Sequence, residues 1–371
     1  MHLKFRNVND ALYGIVRGIE NESIPTKRQE SRNGPVVRIP EPVTVTYSHP
    51  TERVLFNRAR DANPFFHLYD SMWMLAGRRD VEPLTYYVGR MKDYSDDGKT
   101  LHGAYGARWR NWFGYDQLDV IVRELKENPQ SRRCVLSMWD ASNTWSRDIT
   151  PLSPDESTPF MDCDDLYVAT NGGKDVPCNT HAYFEVEDSP TLYAGEHHPN
   201  LKQGELIEGS GPKLNMTVCN RSNDLIWGML GANYVHFSFL QEYLANRIGV
   251  RVGVYNHITN NLHAYLSTYE PGKIISAHNY SDDTYNTGSS NLLFDCNDED
   301  IKLIARGWFG GRLTSYFTSK YTEPKLQEYS HHKDRSYNAA HNALLKVGAA
   351  DWRTAGQAWI ERRRKQWESK H

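Results

Sequence analysis

Residues 214–249 read LNMTVCNRSNDLIWGMLGANYVHFSFLQEYLANRIG. The first part alternates. Leu214, Met216 and Val218 are separated by Asn215, Thr217 and Cys219, the period-two pattern of a strand with one buried face. From Tyr234 the period changes: Phe237, Leu240, Leu244 and Ile248 recur at helical spacing, and Gly249 stands where a helix C-terminal cap is expected. Between strand and helix, a polar turn carries Arg221, Ser222, Asp224 and Asn233. A strand end feeding a buried helix through such a turn holds a guanidinium, a hydroxyl, a carboxylate and an amide in fixed relation. That set suits an anionic ligand with a flat hydrogen-bonding head: Arg221 and Ser222 for a phosphate, Asn233 for the edge of a base. Any one of them alone is as readily a loop residue serving its own backbone.

Upstream, Pro177 and Cys178 lead into a second alternating run, with Ala182, Phe184 and Val186 set against Tyr183 and Glu185. A lone cysteine is usually a small buried apolar residue. In the company of Arg221, Cys178 gains a positive charge that favours the thiolate, the form that attacks. Cys134, Cys163, Cys219 and Cys296 have no comparable setting and read as structural. A thiolate beside a pyrimidine adds to ring carbon 6 and makes carbon 5 nucleophilic, provided charge on the carbon 4 oxygen is stabilised. The Asn233 amide can donate to that oxygen and accept from the ring N–H, which matches uracil. An amide turned by half a rotation presents the opposite pattern, so uracil is favoured and cytosine stays open.

Elsewhere, Leu12, Ile15, Val16 and Ile19 predict an amphipathic helix over Asp10–Ile19, and residues 20–53 read as loop with short strands. Asn63-Pro64 opens a helix that Gly77 closes. It puts Asp70 in an apolar setting with Phe66 and Trp73 on its face, where a carboxylate is either paired or used chemically. Residues 91–110 read as loop with glycine turns. Asp116–Glu127 is a helix, stopped by Pro129. SRRCVLSMWD, residues 131–140, reads as a strand beginning at Arg132 and Arg133, whose side chains diverge unless the strand end is irregular.

Residues 141–176 and 188–213 read as polar insertions without chemistry, and the acidic group Asp162, Asp164 and Asp165 as solvated. The doublets His197–His198 and His331–His332 fall in loops without further ligands at metal spacing, so no metal site is expected. The chain ends in a helix bearing Trp352, Trp359 and Trp367, with the basic run ERRRK read as a solvated face.

With 39% apolar and 12% aromatic residues among 371, the chain can bury a sizeable core, and the lack of repeats or linkers favours one domain with insertions. Forty-three basic against 46 acidic residues, net charge −3, give no global electrostatic reason to expect DNA or RNA as a main partner. Five cysteines without framework spacing suggest a reducing compartment. No signal-like or membrane-spanning run is present, so a soluble cytoplasmic protein is expected.

On these residues, NRSNDLIWGMLGAN (220–233) resembles the nucleotide-binding signature of the thymidylate synthase family, and VPCNTHAYFEVED (176–188) its nucleophile strand. SRNG, the Asp70 helix, GAYGARWR, SRR and NNLHAY recur in the family's order from about Ser31 to Tyr265, and the likeness fades over 267–371. The resemblance implies an α+β fold, a mixed sheet covered by helices, with one sheet face forming a homodimer interface. It implies that Cys178 is the nucleophile, and that Arg221, Ser222, Arg32 and, reaching across the dimer, Arg132 and Arg133 hold the 5′-phosphate. His263 and Tyr265 fall where the family binds the sugar 3′-hydroxyl, Asn233 where it reads the base, and Asp224 where it orients the folate pterin. Tyr105 would help remove the carbon 5 proton, and 5,10-methylenetetrahydrofolate is the implied one-carbon donor.

There are departures. Asp70 stands for the family's glutamate, Asn179 for a histidine beside the nucleophile at the substrate, and Met91 with Tyr94 for a tryptophan that packs on the folate. QWESKH replaces an apolar closing tail. After carbon transfer, hydride addition at the exocyclic methylene gives methyl and water addition gives hydroxymethyl; losing the wall and the tail favours water. The expectation is therefore a deoxyuridylate hydroxymethylase of phage type, with a thymidylate synthase or a dCMP hydroxymethylase as alternatives. A non-catalytic nucleotide- or RNA-binding relative is the alternative of another class, against which the Cys178, Arg221, Asn233 and His263 set speaks.

Overall fold

The alternating run at Leu214 lies inside a six-stranded sheet in a computed structural model of the chain. The described residues are 1–141, 165–194, 202–203, 209–279, 283–287, 295, 297–305 and 323–370. The strands are β1 (His2–Phe5), β2 (Lys27–Gln29), β3 (Val36–Arg38), β4 (Val43–Tyr47), β5 (Val135–Ser137), β6 (Asn179–Glu187), β7 (Lys213–Asn220), β8 (Asn223–Asp224), β9 (Arg251–Thr259) and β10 (Leu262–Tyr265). The first helices are α1 (Val8–Glu20), α2 (Pro64–Leu75), α3 (Glu82–Tyr87), α4 (Tyr105–Arg110), α5 (Gln117–Glu127) and α6 (Asp165–Thr170). The rest are α7 (Ala232–Ile248), α8 (Pro271–Ser276), α9 (Asp298–Ala305), α10 (Glu323–Lys333), α11 (Tyr337–Leu344) and α12 (Ala350–Glu368).

The large sheet runs β1-β4-β9-β7-β6-β5 and mixes directions: β7 is antiparallel to β6 and parallel to β9. A smaller sheet runs β2-β3-β10-β8. This is the expected α+β architecture. The β7 side chains Leu214, Met216 and Val218 are buried against α7, whose residues Tyr234 to Ala245 are all buried. Such a helix has no solvent face, which explains why its apolar positions are not confined to one stripe. It ends at Gly249 with φ 91°, a left-handed conformation that glycine adopts without a Cβ penalty.

Helix α2 packs on α7 and starts as its sequence dictates. The Asn63 side chain accepts from the Phe65 and Phe66 backbone N–H groups at 3.1 Å each, Pro64 occupies the first turn, and Gly77 follows at φ 72°. The C-terminal helices extend the core over the back of α2. Trp359 and Tyr329 close on Phe65 at ring distances of 5.5 and 5.3 Å, while Leu344, Val347 and Trp352 join the main core. On the opposite face of the large sheet, paired Val135 and Tyr183 remain exposed.

Several expectations are corrected. Residues 91–110 are not simply loop: Gly89–Tyr94 forms a 3-10 turn and Tyr105–Arg110 is α4, held by packing of Gly106 on Met74. The strand expected from Arg132 begins at Val135, so both arginines precede it in irregular backbone, exposed. His331 and His332 lie on α10, where His332 is buried against Tyr329 and Trp359. Asp165 is fully buried, not solvated, because it is paired with Arg108. Asp162, Asp164, Cys163, Cys296 and His197–His198 lie outside the described residues.

Candidate active site

Strands β6 and β7 pair so that the turn after β7 folds back on the start of β6. The Arg221 backbone N–H donates to Cys178 O at 2.9 Å. The Arg221 guanidinium then wraps the same segment, with Nε donating to Pro177 O (2.9 Å), Nη2 to Val176 O (3.1 Å) and Nη1 to Ser222 Oγ (3.2 Å). Its Nη2 and the Ser222 hydroxyl both stand 3.9 Å from Cys178 Sγ. The half-buried sulfur thus faces one positive charge and one hydroxyl donor. Arg32 holds the preceding residues, donating to Gly173 O (2.8 Å) and Lys174 O (3.1 Å).

Tyr105, at the start of α4, leans on Phe237 of α7 with rings 6.0 Å apart, and its oxygen takes a hydrogen bond from the Cys178 backbone. Burial pushes its phenol well up, and the neighbouring Cys178 and Asp175 add to the rise, so the hydroxyl keeps its proton. Asp175 accepts from Gly103 N at 2.8 Å, and its carboxyl is also raised by burial.

A second group is built on the π turn Leu225–Met229, a single wide turn of a kind often found at functional sites. Asn233, just inside α7, donates from Nδ2 to Asn223 Oδ1 at 3.1 Å. Asn223 Nδ2 lies 2.9 Å from His257 Nε2, and His257 Nδ1 lies 2.8 Å from the Tyr255 hydroxyl. Burial pushes His257 down to about 3, so its ring is neutral.

Asp224 caps the π turn: Oδ1 accepts from Ile226 N (2.8 Å) and Trp227 N (2.5 Å), while Oδ2 is buried without a partner. Burial raises its carboxyl against the pull of those two amides, His263 and Arg60. Trp227 is 47% exposed, with the Arg60 guanidinium 4.2 Å and that of Arg90 6.0 Å from its ring centre. Burial pulls Arg60 down to about 10, and its Nη1 also lacks a partner. Met91 packs partly on the core from the 3-10 turn, and Tyr94 is exposed at its end. On β10, His263 pairs with Asp224 in the ladder and stands perpendicular to Tyr265 with rings 5.4 Å apart.

Asp70 is buried, with Oδ2 2.8 Å from His236 Nε2 on α7. The approach is not aligned as a hydrogen bond, and both His236 ring nitrogens lack a hydrogen-bond partner. Asn179 is fully buried with both carboxamide atoms unpartnered; its ladder neighbour Asn220 and, one strand further, Thr259 each leave an oxygen unpartnered too. Arg132 and Arg133 join none of these groups.

The structure therefore brings together Cys178, Arg221, Ser222 and Tyr105, and separately Asp224 with His263. Sequence reasoning missed Asp175, Asn223, His236, His257, Trp227 and Arg60. Asn223 lies within the 220–233 signature, but its bond to His257, like the partners of His236 and His257, comes only through tertiary contact; Trp227 and Arg60 carried the signal of an arginine and an indole near Asp224 and Asn63. Among the described residues no group of three or more His, Cys, Asp or Glu side chains is placed to hold a metal ion, and no helix is long and apolar enough to cross a membrane.

The family model described as thymidylate synthase matches residues 63–306. Deoxyuridylate hydroxymethyltransferase of Pseudomonas phage M6 is 39% identical over 386 residues, covering 99% of this chain and 96% of the phage protein. Deoxyuridylate hydroxymethyltransferase of Bacillus phage SP01 is 33% identical over 238 residues, 62% of this chain and 50% of its own. Thymidylate synthase of Symbiobacterium thermophilum is 25% identical over 230 residues, 58% of this chain and 61% of its own. With the family model matched over residues 63–306 and a 39% identical relative spanning nearly the whole of both chains, the chain belongs to the thymidylate synthase family.

Proposed function

We propose that this protein is an enzyme transferring one carbon to carbon 5 of dUMP, with 5-hydroxymethyl-dUMP as product. The observation that carries the proposal is the Cys178 sulfur, 3.9 Å from both Arg221 Nη2 and Ser222 Oγ at the mouth of β6. The likeness over nearly the whole chain to a phage deoxyuridylate hydroxymethyltransferase supports the same reading.

In this reading Cys178 Sγ adds to carbon 6 and leaves again at the end of the cycle, and Arg221, Ser222 and Arg32 hold the 5′-phosphate. Asn233 reads the base. His263 and Tyr265 take the sugar 3′-hydroxyl, and Asn179, buried with free polar atoms, supports the substrate side. Tyr105, kept protonated by its surroundings, moves the carbon 5 proton through water. Asp70 with His236 anchors that water and positions it for addition.

The donor is 5,10-methylenetetrahydrofolate, which supplies one carbon at the oxidation level of formaldehyde when bound. The residues fit a pterin: the buried, unpartnered Asp224 Oδ2 is an acceptor awaiting an N–H, and the exposed face of Trp227 is an apolar platform beside it. Arg90, 6.0 Å from the Trp227 ring centre, also reaches the Tyr94 hydroxyl at 3.3 Å, and in this reading Tyr94 and Met91, in place of an aromatic wall, serve the same side.

We also propose a homodimer through the uncovered sheet face bearing Val135 and Tyr183, with Arg132 and Arg133 completing the phosphate site of the other protomer. The cytoplasm of a host cell, where Cys178 stays a free thiol, suits this chemistry.

A specific observation favours a second reading. Trp227 beside Asp224 offers an aromatic surface for retaining the folate after carbon transfer, which would lead to dTMP. Incubation with dUMP and methylenetetrahydrofolate, followed by mass measurement of the nucleotide, decides. A gain of CH2O with tetrahydrofolate released is expected. A gain of CH2 with dihydrofolate formed overturns the hydroxymethyl assignment, and no change in mass overturns the enzyme reading.

A further inference from the structure

The chain Tyr255–His257–Asn223–Asn233 lies behind the proposed base-reading amide and has no other assigned task. A carboxamide presents one oxygen and one NH2 group, and a half rotation exchanges them. Whichever way Asn233 points is decided by what it meets behind. There it meets Asn223 Oδ1 at 3.1 Å, and Asn223 is itself a carboxamide whose orientation depends on His257 Nε2 at 2.9 Å.

We propose that Asn223 and His257 are positioning residues that lock the Asn233 amide so that it offers one acceptor and one donor to the pyrimidine, making the site select uracil over cytosine. The proposal rests on the reading of Asn233 as the base-reading residue.

Two sets of hydrogen bonds can link these four side chains. In the first, His257 Nδ1–H donates to Tyr255, Nε2 accepts from Asn223 Nδ2, and Asn223 Oδ1 accepts from Asn233 Nδ2. Asn233 keeps its oxygen and one N–H for the ligand, the complement of a uracil N3–H and O4. In the second, every bond reverses: Asn233 Oδ1 takes the hydrogen bond from Asn223 Nδ2 and the NH2 group stands where the first set presents the oxygen, so the donor and acceptor that uracil requires change places, toward the pattern that suits cytosine.

Packing separates the two. A Cβ on Gly228 would stand 1.9 Å from Asn223 Oδ1, so this atom lies against the glycine Cα–H. An oxygen accepts such a contact, and an NH2 would drive its hydrogens into it. His257 is buried and neutral, so it carries one donor and one acceptor and cannot donate from both nitrogens.

The test compares kcat/KM for dUMP and dCMP in the full chain. Asn223→Leu removes the acceptor behind Asn233 and is expected to lower the dUMP-to-dCMP preference about tenfold, chiefly through KM for dUMP. Asn223→Asp keeps an acceptor for Asn233 and lets His257 donate from Nε2, so it is expected to retain the preference. An unchanged preference in Asn223→Leu, or equal loss for both nucleotides, overturns the proposal. Asn233→Ala serves as reference: if it leaves dUMP turnover intact, the base reading itself fails, whichever way Asn223 behaves. A neutron structure of the unaltered protein needs no variant to fold. It is expected to show the His257 proton on Nδ1, and a proton on Nε2 overturns the proposal.

Discussion

Arg108 and Asp165 form a two-pronged ion pair with both side chains fully buried, Nη1 2.7 Å from Oδ2 and Nη2 2.9 Å from Oδ1. The same carboxylate lies 2.8 Å from His102 Nε2 and accepts from the Asp140 backbone N–H at 2.7 Å. It thereby ties α4, which carries Tyr105, to the start of α6 and the end of the β5 segment. Removing one partner strands a buried charge, so Asp165→Ala is expected to lower unfolding free energy by about 3–5 kcal/mol, read from denaturant midpoints. A loss below about 1 kcal/mol would mean that water already reaches the pair.

Gly106 sits where α4 crosses α2. A Cβ there would stand 1.9 Å from the Met74 carbonyl oxygen, and backbone cannot swing aside as a side chain can. Gly106→Ala is expected to push α4 off α2, costing about 1–3 kcal/mol, and to lower kcat through displaced Tyr105. Thermal unfolding and turnover measured on the same preparation check both effects; an unchanged melting temperature would contradict the packing described.

Cys178→Ala removes the sulfur and leaves Arg221, Ser222 and Asn233 in place. Turnover is expected to vanish, while dUMP binding, followed by calorimetry, changes by no more than about tenfold. Residual turnover would show that the reaction proceeds without the covalent adduct.

Asp283 accepts from Tyr285 N at 2.9 Å, and burial, with Glu52 and Asp10 adding to it against Arg6, pushes its carboxyl from 3.8 up to about 6. The folded chain binds this proton more tightly than the unfolded one, so the contribution is full below 3.8 and is lost as pH rises through 6. Asp283→Asn, which keeps the acceptor and drops the charge, is expected to raise the melting temperature at pH 8 and to leave it little changed at pH 4. The opposite pH trend would show that this carboxyl is stabilised in its charged form.

Much of this architecture was legible where the deciding forces are local. The Asn63-Pro64 start and Gly77 stop of α2, the left-handed Gly249, and the alternation of Leu214, Met216 and Val218 each depend on neighbours in sequence. Cys178, Arg221 and Ser222 also came together as expected. What escaped reading depends on residues distant in the chain. Tyr105–Arg110 carries no clear helical period because Gly106 is held by Met74, and Asp165 looks solvated until Arg108 is found beside it. The Asn223–His257 contact spans two strands and leaves no trace in either segment's pattern. Arg132 and Arg133 read as strand residues because the apolar run after them is continuous with them, whereas pairing with β6 starts only at Val135.

Arg32 and Arg221 both grip carbonyl oxygens of residues 173–177, the run leading directly into Cys178. In the proposed reading a phosphate draws on the same guanidinium groups, which makes docking the nucleotide's tail and aiming the thiol one mechanical event. Deoxyuridine, which lacks that tail, should therefore react slowly even at saturation, a defect that raising its concentration would not repair.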